Sequence, residues 1–167
     1  MATRRSIWVL LLALPALGSD AEPPMLPPER MSGVMVLAFE ERSFFPRASA
    51  RPDTNDPWRF VNEIMIARDD LERLGQYAHP DGTAFHLTFI GRRSREPDYS
   101  CNGIPYFSFE AKQLLSVRYL GAMGDYDSAG MGKRMDRLAA RLRGTGGAAQ
   151  AKAIARCEAR DAAGSGG

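Results

Sequence analysis

The chain has 167 residues, 44% hydrophobic and 25% charged, with 22 Lys and Arg against 20 Asp and Glu. That length and mixture describe one modest domain able to build a core, and exclude a chain disordered throughout. A formal net charge of +2 excludes the uniformly basic surface that binds nucleic acid or anionic lipid by charge alone.

The first element reads as a leader. Arg4 and Arg5 form a charged head, Ile7 to Leu17 an apolar run, and small residues follow as far as Ala21. This is the pattern of a secretory signal peptide over residues 1–21, cleaved after Gly18 or Ala21. The run is shorter than the roughly 20 apolar residues a helix needs to cross a bilayer, so a permanent anchor is not expected. Export to the periplasm or the medium places Cys101 and Cys157 in an oxidising compartment. There they either pair, tying the tail to the middle of the chain and stabilising it by about 4 kcal/mol, or stay apart on a loose tail. Their spacing leaves both readings open.

Residues 22–30 carry Pro23, Pro24, Pro27 and Pro28 and read as an extended, polyproline-like linker. A β-rich domain follows over 31–122. From Met31 to Glu40, Val34, Val36 and Ala38 alternate with Met35, Leu37 and Phe39, so both faces are apolar and the strand is central, with Gly33 marking a bend or bulge. Residues 47–57, with Pro52, Asp53, Asn55, Asp56 and Pro57, read as an exposed loop. Trp58 to Ile66 reads as a period-2 strand, with a helix as the alternative, Asp69 to Leu74 as a helical turn ended by Gly75, and His79 to Gly82 as a tight turn. Phe85 to Ile90 is a strand that runs into the basic break Arg92, Arg93, Arg95. Tyr99 to Phe109, interrupted by Gly103 and Pro105, reads as a bent edge strand or a loop packing its own rings. Gln113 to Leu120 is the last strand.

Over 123–143 the spacing of Met131, Met135, Leu138 and Leu142 predicts an amphipathic helix. Its other face carries Lys133, Arg134, Arg137 and Arg141, placed either in solvent or in peripheral contact with an anionic membrane. Residues 144–167, rich in Gly and Ala, read as a flexible tail, either a frayed helix or disordered.

Several short strands, one helical turn and a closing strand indicate a mainly β fold with minor α: a small OB-like β-barrel plus the C-terminal amphipathic helix. The segments GVMVLAFEERSFFP (33–46), Trp58, FIGRRS (89–94) and NGIPYFSFEAKQLLSVRYL (102–120) resemble small exported bacterial proteins of unknown function with an OB-like barrel. The Gly-Tyr-Gly-His turn of that group is replaced here by Tyr99, Cys101, Asn102 and Gly103. The resemblance implies a fold and a compartment, and brings no activity with it.

The residues offer little chemistry. No catalytic, metal or cofactor constellation is expected: His79 and His86 are the only histidines, and adjacent carboxylates such as Glu40 and Glu41 point apart. Asp125, Asp127, Gly130 and Asp136 imitate part of a calcium loop, but helix capping by Asp127 or Ser128 accounts for them more simply. A thiol-dependent or hydrolytic enzyme would centre on Cys101 and His86, with Asn102 beside the cysteine. The leading expectation is an exported, noncatalytic binding or interaction module. Arg92, Arg93 and Arg95 with Tyr99, Tyr106, Phe107 and Phe109 form either a stacking surface for an oligosaccharide, a peptide or an envelope protein, or simply part of the core. Export makes nucleic acid a poor candidate. A third reading is a membrane-surface factor acting through the basic helix.

Overall fold

The computed structural model describes residues 24–38, 41–57, 62–125 and 127–164. Strand outweighs helix, 38% to 30%, so the chain is mainly β with minor α.

β1 (Glu29–Ala38) is apolar on both faces because both faces are covered. It pairs antiparallel with β2 (Glu41–Pro46) on one side and β4 (Thr83–Arg93) on the other. Met35 packs in the main core with Phe44, Ile64, Phe85, Leu87 and Phe89. Val34 and Val36 join Ala84 and Met123 in a second cluster, overlain by Phe45, Ala48 and Leu120. Each fully buried Phe or Leu of the main core contributes about 1.5–3 kcal/mol. β3 (Glu63–Met65) pairs antiparallel with β2 and parallel with β7 (Ser108–Ala122). β7 returns antiparallel along β4, which closes the five strands into a barrel in the order β1-β2-β3-β7-β4. Between β3 and β4 the chain makes α1 (Arg68–Gly75), whose Leu74 enters the main core beside Ile66.

Two glycines make this closure sterically possible. A Cβ at Gly33 would meet the Phe45 carbonyl and the Phe44 ring, and one at Gly91 would meet the Glu110 carbonyl and the Phe89 ring. No bulge occurs at Gly33: the β1–β4 register runs through it unbroken, and the β1–β2 ladder begins there opposite Pro46. Its role is clearance for Phe44.

The remaining elements pack on the barrel. β5 (Asp98–Tyr99) and β6 (Pro105–Tyr106) form a small hairpin between β4 and β7. α2 (Ser128–Leu142) sets Met135, Leu138, Ala139 and Leu142 against Ile104 and Tyr106, so the predicted apolar stripe covers this hairpin. Asp127 caps α2, its carboxylate accepting from the Gly130 amide at 2.8 Å and from Arg134. α3 (Gly147–Gly164) runs back past β5 and is joined to the hairpin by a Cys101–Cys157 disulfide, Cα to Cα 5.5 Å.

Several expectations are corrected. Of the two readings of the tail from 144, helix or disorder, the structure has helix, because its alanines favour it and two anchors dock it: the disulfide and the buried Gln150. The linker expected over 22–30 lies, from residue 24, along the end of β4: the Leu26 amide donates to the Arg93 carbonyl and the Arg95 amide to the Pro24 carbonyl, and β1 begins at Glu29. Glu41–Pro46 is a strand that the periodicity does not announce. The strand expected over 58–66 is limited to Glu63–Met65, with 58–61 outside the described residues. The last strand starts at Ser108, inside the segment read as a bent edge strand or loop. The signal-peptide segment lies outside the described residues.

Candidate functional site

The alternation of β4 decides where the basic break goes. Arg93 opposes Phe109 in register, and Arg92 opposes Glu110, so neighbouring arginines leave the sheet on opposite faces. Arg92 donates from Nε and Nη2 to Glu110 Oε2 at 3.0 and 2.5 Å, and Lys112 binds the other carboxylate oxygen. These two cations hold the Glu110 carboxyl below its ordinary value. Arg92 is therefore committed to an ion pair on the outer face.

Arg93 stands at the mouth of the barrel, its guanidinium carbon 5.5 Å from the centroid of the Phe107 ring. A cleft of about 690 Å³ opens there, lined by Glu29 and Arg30 of β1, Arg47 just beyond β2 and Arg93 of β4, with Phe44, Phe107 and Phe109 among its apolar walls. Phe44 and Phe109 are buried and pack edge to face at 4.9 Å, so the base of the cleft is continuous with the core. None of the three arginines has a carboxylate partner among the described residues. Arg47 is the one non-glycine residue with positive φ among the described residues, 65°, and its amide donates to the Ser32 carbonyl at 2.9 Å. Such backbone geometry is uncommon outside glycine, Asn and Asp. Here the hydrogen bond to β1 holds it in place at the lip of the cleft.

The other members of the expected stacking surface lie elsewhere. Tyr99 packs against the Gly146 turn. Tyr106 lies between the hairpin and α2 and donates its hydroxyl to Asp98 at 3.0 Å; burial and that bond raise its phenol pKa above the ordinary value. Arg95 is exposed beyond the end of β4. Of the seven residues of the expected stacking surface, the structure brings Arg93, Phe107 and Phe109 together. It adds Arg30 and Arg47, assigned from sequence to a linker and a loop. Nothing in their local pattern marks them, because they reach the cleft only through the β1–β4 and β1–β2 ladders.

Cys101 and Cys157 do pair, so the thiol nucleophile expected at Cys101 with His86 as its base does not exist in this form. His86 sits in β4 between Val34 and Arg118 in register. Among the described residues no group of three or more His, Cys, Asp or Glu is placed to hold a metal ion. On α2, Lys133, Arg137 and Arg141 are exposed, whereas Arg134 is drawn back to Asp127 at 2.8 Å. No helix among the described residues is long and apolar enough to cross a membrane. At the opposite end of the barrel a cleft of about 610 Å³, walled by Leu37, Leu71 and Pro80, includes Arg42 and His79. The mouth cleft joins three cations without carboxylate partners among the described residues to aromatic rings. Compared with family models, curated proteins and solved structures, the chain matches none of them.

Proposed function

We propose that this chain is a noncatalytic binding module of the bacterial envelope, built on an OB-like barrel, that holds an acidic oligosaccharide in the cleft at the barrel mouth. The observation that carries the reading is Arg93 over the Phe107 ring in a cleft that Arg30 and Arg47 also line, none of the three paired with a carboxylate among the described residues. Planar guanidinium groups match carboxylates in a two-pronged geometry, and an aromatic face accepts the apolar face of a sugar ring. The volume falls within the roughly 300–1,000 Å³ of ordinary ligand sites.

The OB-like assignment is supported by the strand order, by the parallel β3–β7 pair and by the helix between β3 and β4. Export is supported by the leader pattern of residues 1–21 and by a disulfide that suits an oxidising compartment. In that setting acidic glycan is a commoner ligand than nucleic acid.

The test is a titration of the isotope-labelled chain with oligogalacturonate, beside the same oligomer with its carboxylates reduced to alcohols. Saturable shifts at Arg93 and Phe107 are expected with the acidic oligomer. Charge-assisted hydrogen bonds are worth about 1.5–3 kcal/mol each, so Arg93→Ala should weaken binding by about tenfold or more. Equal binding of the neutral oligomer, or shifts confined to α2, would remove the assignment.

A further inference from the structure

The barrel leaves one row of its sheet unfilled. β3 pairs with β7 only at Ser108, Phe109 and Glu110, and the chain then turns into α1. Among the described residues no strand lies beside Ala111–Ala122 on the side away from β4. A strand edge in that state presents unpaired N–H and C=O groups to any extended chain that comes within about 4.8 Å.

A side-chain pocket borders that same edge. Between α1 and β7 lies a cleft of about 520 Å³, lined by Leu114, Val117 and Tyr119 from β7 and by Tyr77 and Arg73 from α1 and its exit. The Tyr77, Phe85 and Tyr119 rings stand 5.6 to 6.2 Å apart and form its aromatic wall. In register, Tyr119 opposes Phe85, Val117 opposes Leu87 and Leu114 opposes Phe89, so these β7 side chains share the face that elsewhere forms the core. Yet Tyr77 is 56% exposed, Tyr119 52% and Val117 42%. Core-facing side chains are open to solvent where the β3 row stops.

We propose that this groove binds an extended, acidic peptide segment of another protein, which adds to β7 in the row that β3 vacates. Backbone hydrogen bonds to β7 hold the segment, and an apolar side chain enters the Tyr77, Phe85, Tyr119 pocket. Charge selects the partner. Lys112 is already paired with Glu110, and in the pocket Arg73 pairs with Asp70; within Ser116–Tyr119 the cation is Arg118, on the face opposite Val117 and Tyr119, where it donates to the Ser49 carbonyl at 3.4 Å and has no carboxylate partner among the described residues. A second copy of β7 would set cations beside cations, whereas glutamates or aspartates flanking the anchor meet them favourably. The β4–β7 ladder shifts register at three points, and the longest unbroken run of β7 on the open half is Ser116–Tyr119. Bulges of this kind curl an edge away from long strand pairing, so the contact is short.

The experiment uses the full oxidised chain and a short fluorescent peptide alternating glutamate with valine and phenylalanine, followed by anisotropy and by amide exchange of the protein. Saturable binding with slowed exchange at Ser116–Tyr119 is expected. N-methylation of alternate peptide amides removes those backbone hydrogen bonds and should weaken binding by about tenfold or more. Tyr119→Ala should weaken it by about tenfold through loss of the anchor wall. Arg118→Glu, on the surface, should reverse the preference toward a peptide with lysine in place of glutamate. Absence of binding, undiminished binding of the N-methylated peptide, or self-association that protects the same amides without peptide would each overturn the proposal.

Discussion

Replacing both Cys101 and Cys157 with serine isolates what keeps α3 on the domain. Along α3, among the described residues, Gln150 and Ala153 are the buried ones, so apolar burial holds it weakly. If α3 is released alone, the freed segment runs from Leu142, the end of α2, to Cys157, about 15 residues, and closing a loop of that length is worth about 3 kcal/mol. At about 1.4 kcal/mol per decade, the open population of α3 should rise by about a hundredfold. Were the whole chain to unfold as one unit, the relevant loop would be the full separation of 56 residues, worth about 4 kcal/mol and visible everywhere. Native-state amide exchange separates the two. The α3 amides should accelerate about a hundredfold while those of Val34–Val36 and Phe85–Phe89 stay unchanged. Equal acceleration in α3 and the barrel, or an α3 indifferent to the substitutions, would refute the view that the bridge chiefly tethers the helix.

Gln150→Leu should cost about 2–4 kcal/mol in chemical denaturation, because it orphans buried backbone groups: its amide donates to the Gly103 and Leu142 carbonyls at 2.6 and 3.0 Å and accepts from the Gly144 amide at 2.7 Å. Gly91→Ala should destabilise by about 3 kcal/mol, since the added methyl meets backbone that cannot withdraw. Gly75→Ala, where a Cβ meets nothing within 4 Å, should move the midpoint by no more than about 1 kcal/mol and in the stabilising direction. The stability of the barrel should fall in acid partly through Glu110. Its depressed pKa adds stability above the unfolded value of 4.5 that is lost as pH falls through the folded one, so Glu110→Gln should flatten that limb of a pH series of melts. Tyr106 acts at the other end: its raised pKa adds stability below 10.0 that is lost as pH rises through the folded value, and Tyr106→Phe should reduce the alkaline loss.

The strands legible in the sequence are those covered on both faces or strictly alternating. β1 and β4 show it, because Val34 and Val36 outside and Met35 inside are all buried, and a short run apolar on both faces is what a central strand requires. β2 escapes because its alternation is carried by adjacent Phe44 and Phe45, one in each cluster, in a stretch that ends on a proline. It is a strand by virtue of its partners. β3 is three residues long, too short for any period. α3 reads as a loose tail because its composition is weakly amphipathic, and its docking depends on one glutamine and one disulfide that only the folded topology brings into position. Propensity favours helix there; what sequence cannot supply is the surface that stops it fraying.

The candidate site obeys the same distinction between local pattern and long-range pairing. Arg93 and Phe107 are recognisable as members of one aromatic and basic stretch, but the period of a strand forbids Arg92 and Arg93 from serving one cleft. The structure sends Arg92 to Glu110 on the outside and Arg93 over Phe107 at the mouth. Arg30 and Arg47 come from segments that look like connectors. They line the same cleft because β1 opposes Gly91 of β4 at its first residue, Glu29, and Pro46 of β2 at Gly33, which delivers the start of one strand and the end of another to the same rim. The positive φ of Arg47 is the local consequence: the chain must turn at once after Pro46 while keeping its amide on Ser32. A basic residue held in that conformation at the edge of an aromatic cleft has its backbone fixed before any ligand arrives. The ordering cost of binding then falls mainly on the arginine side chains.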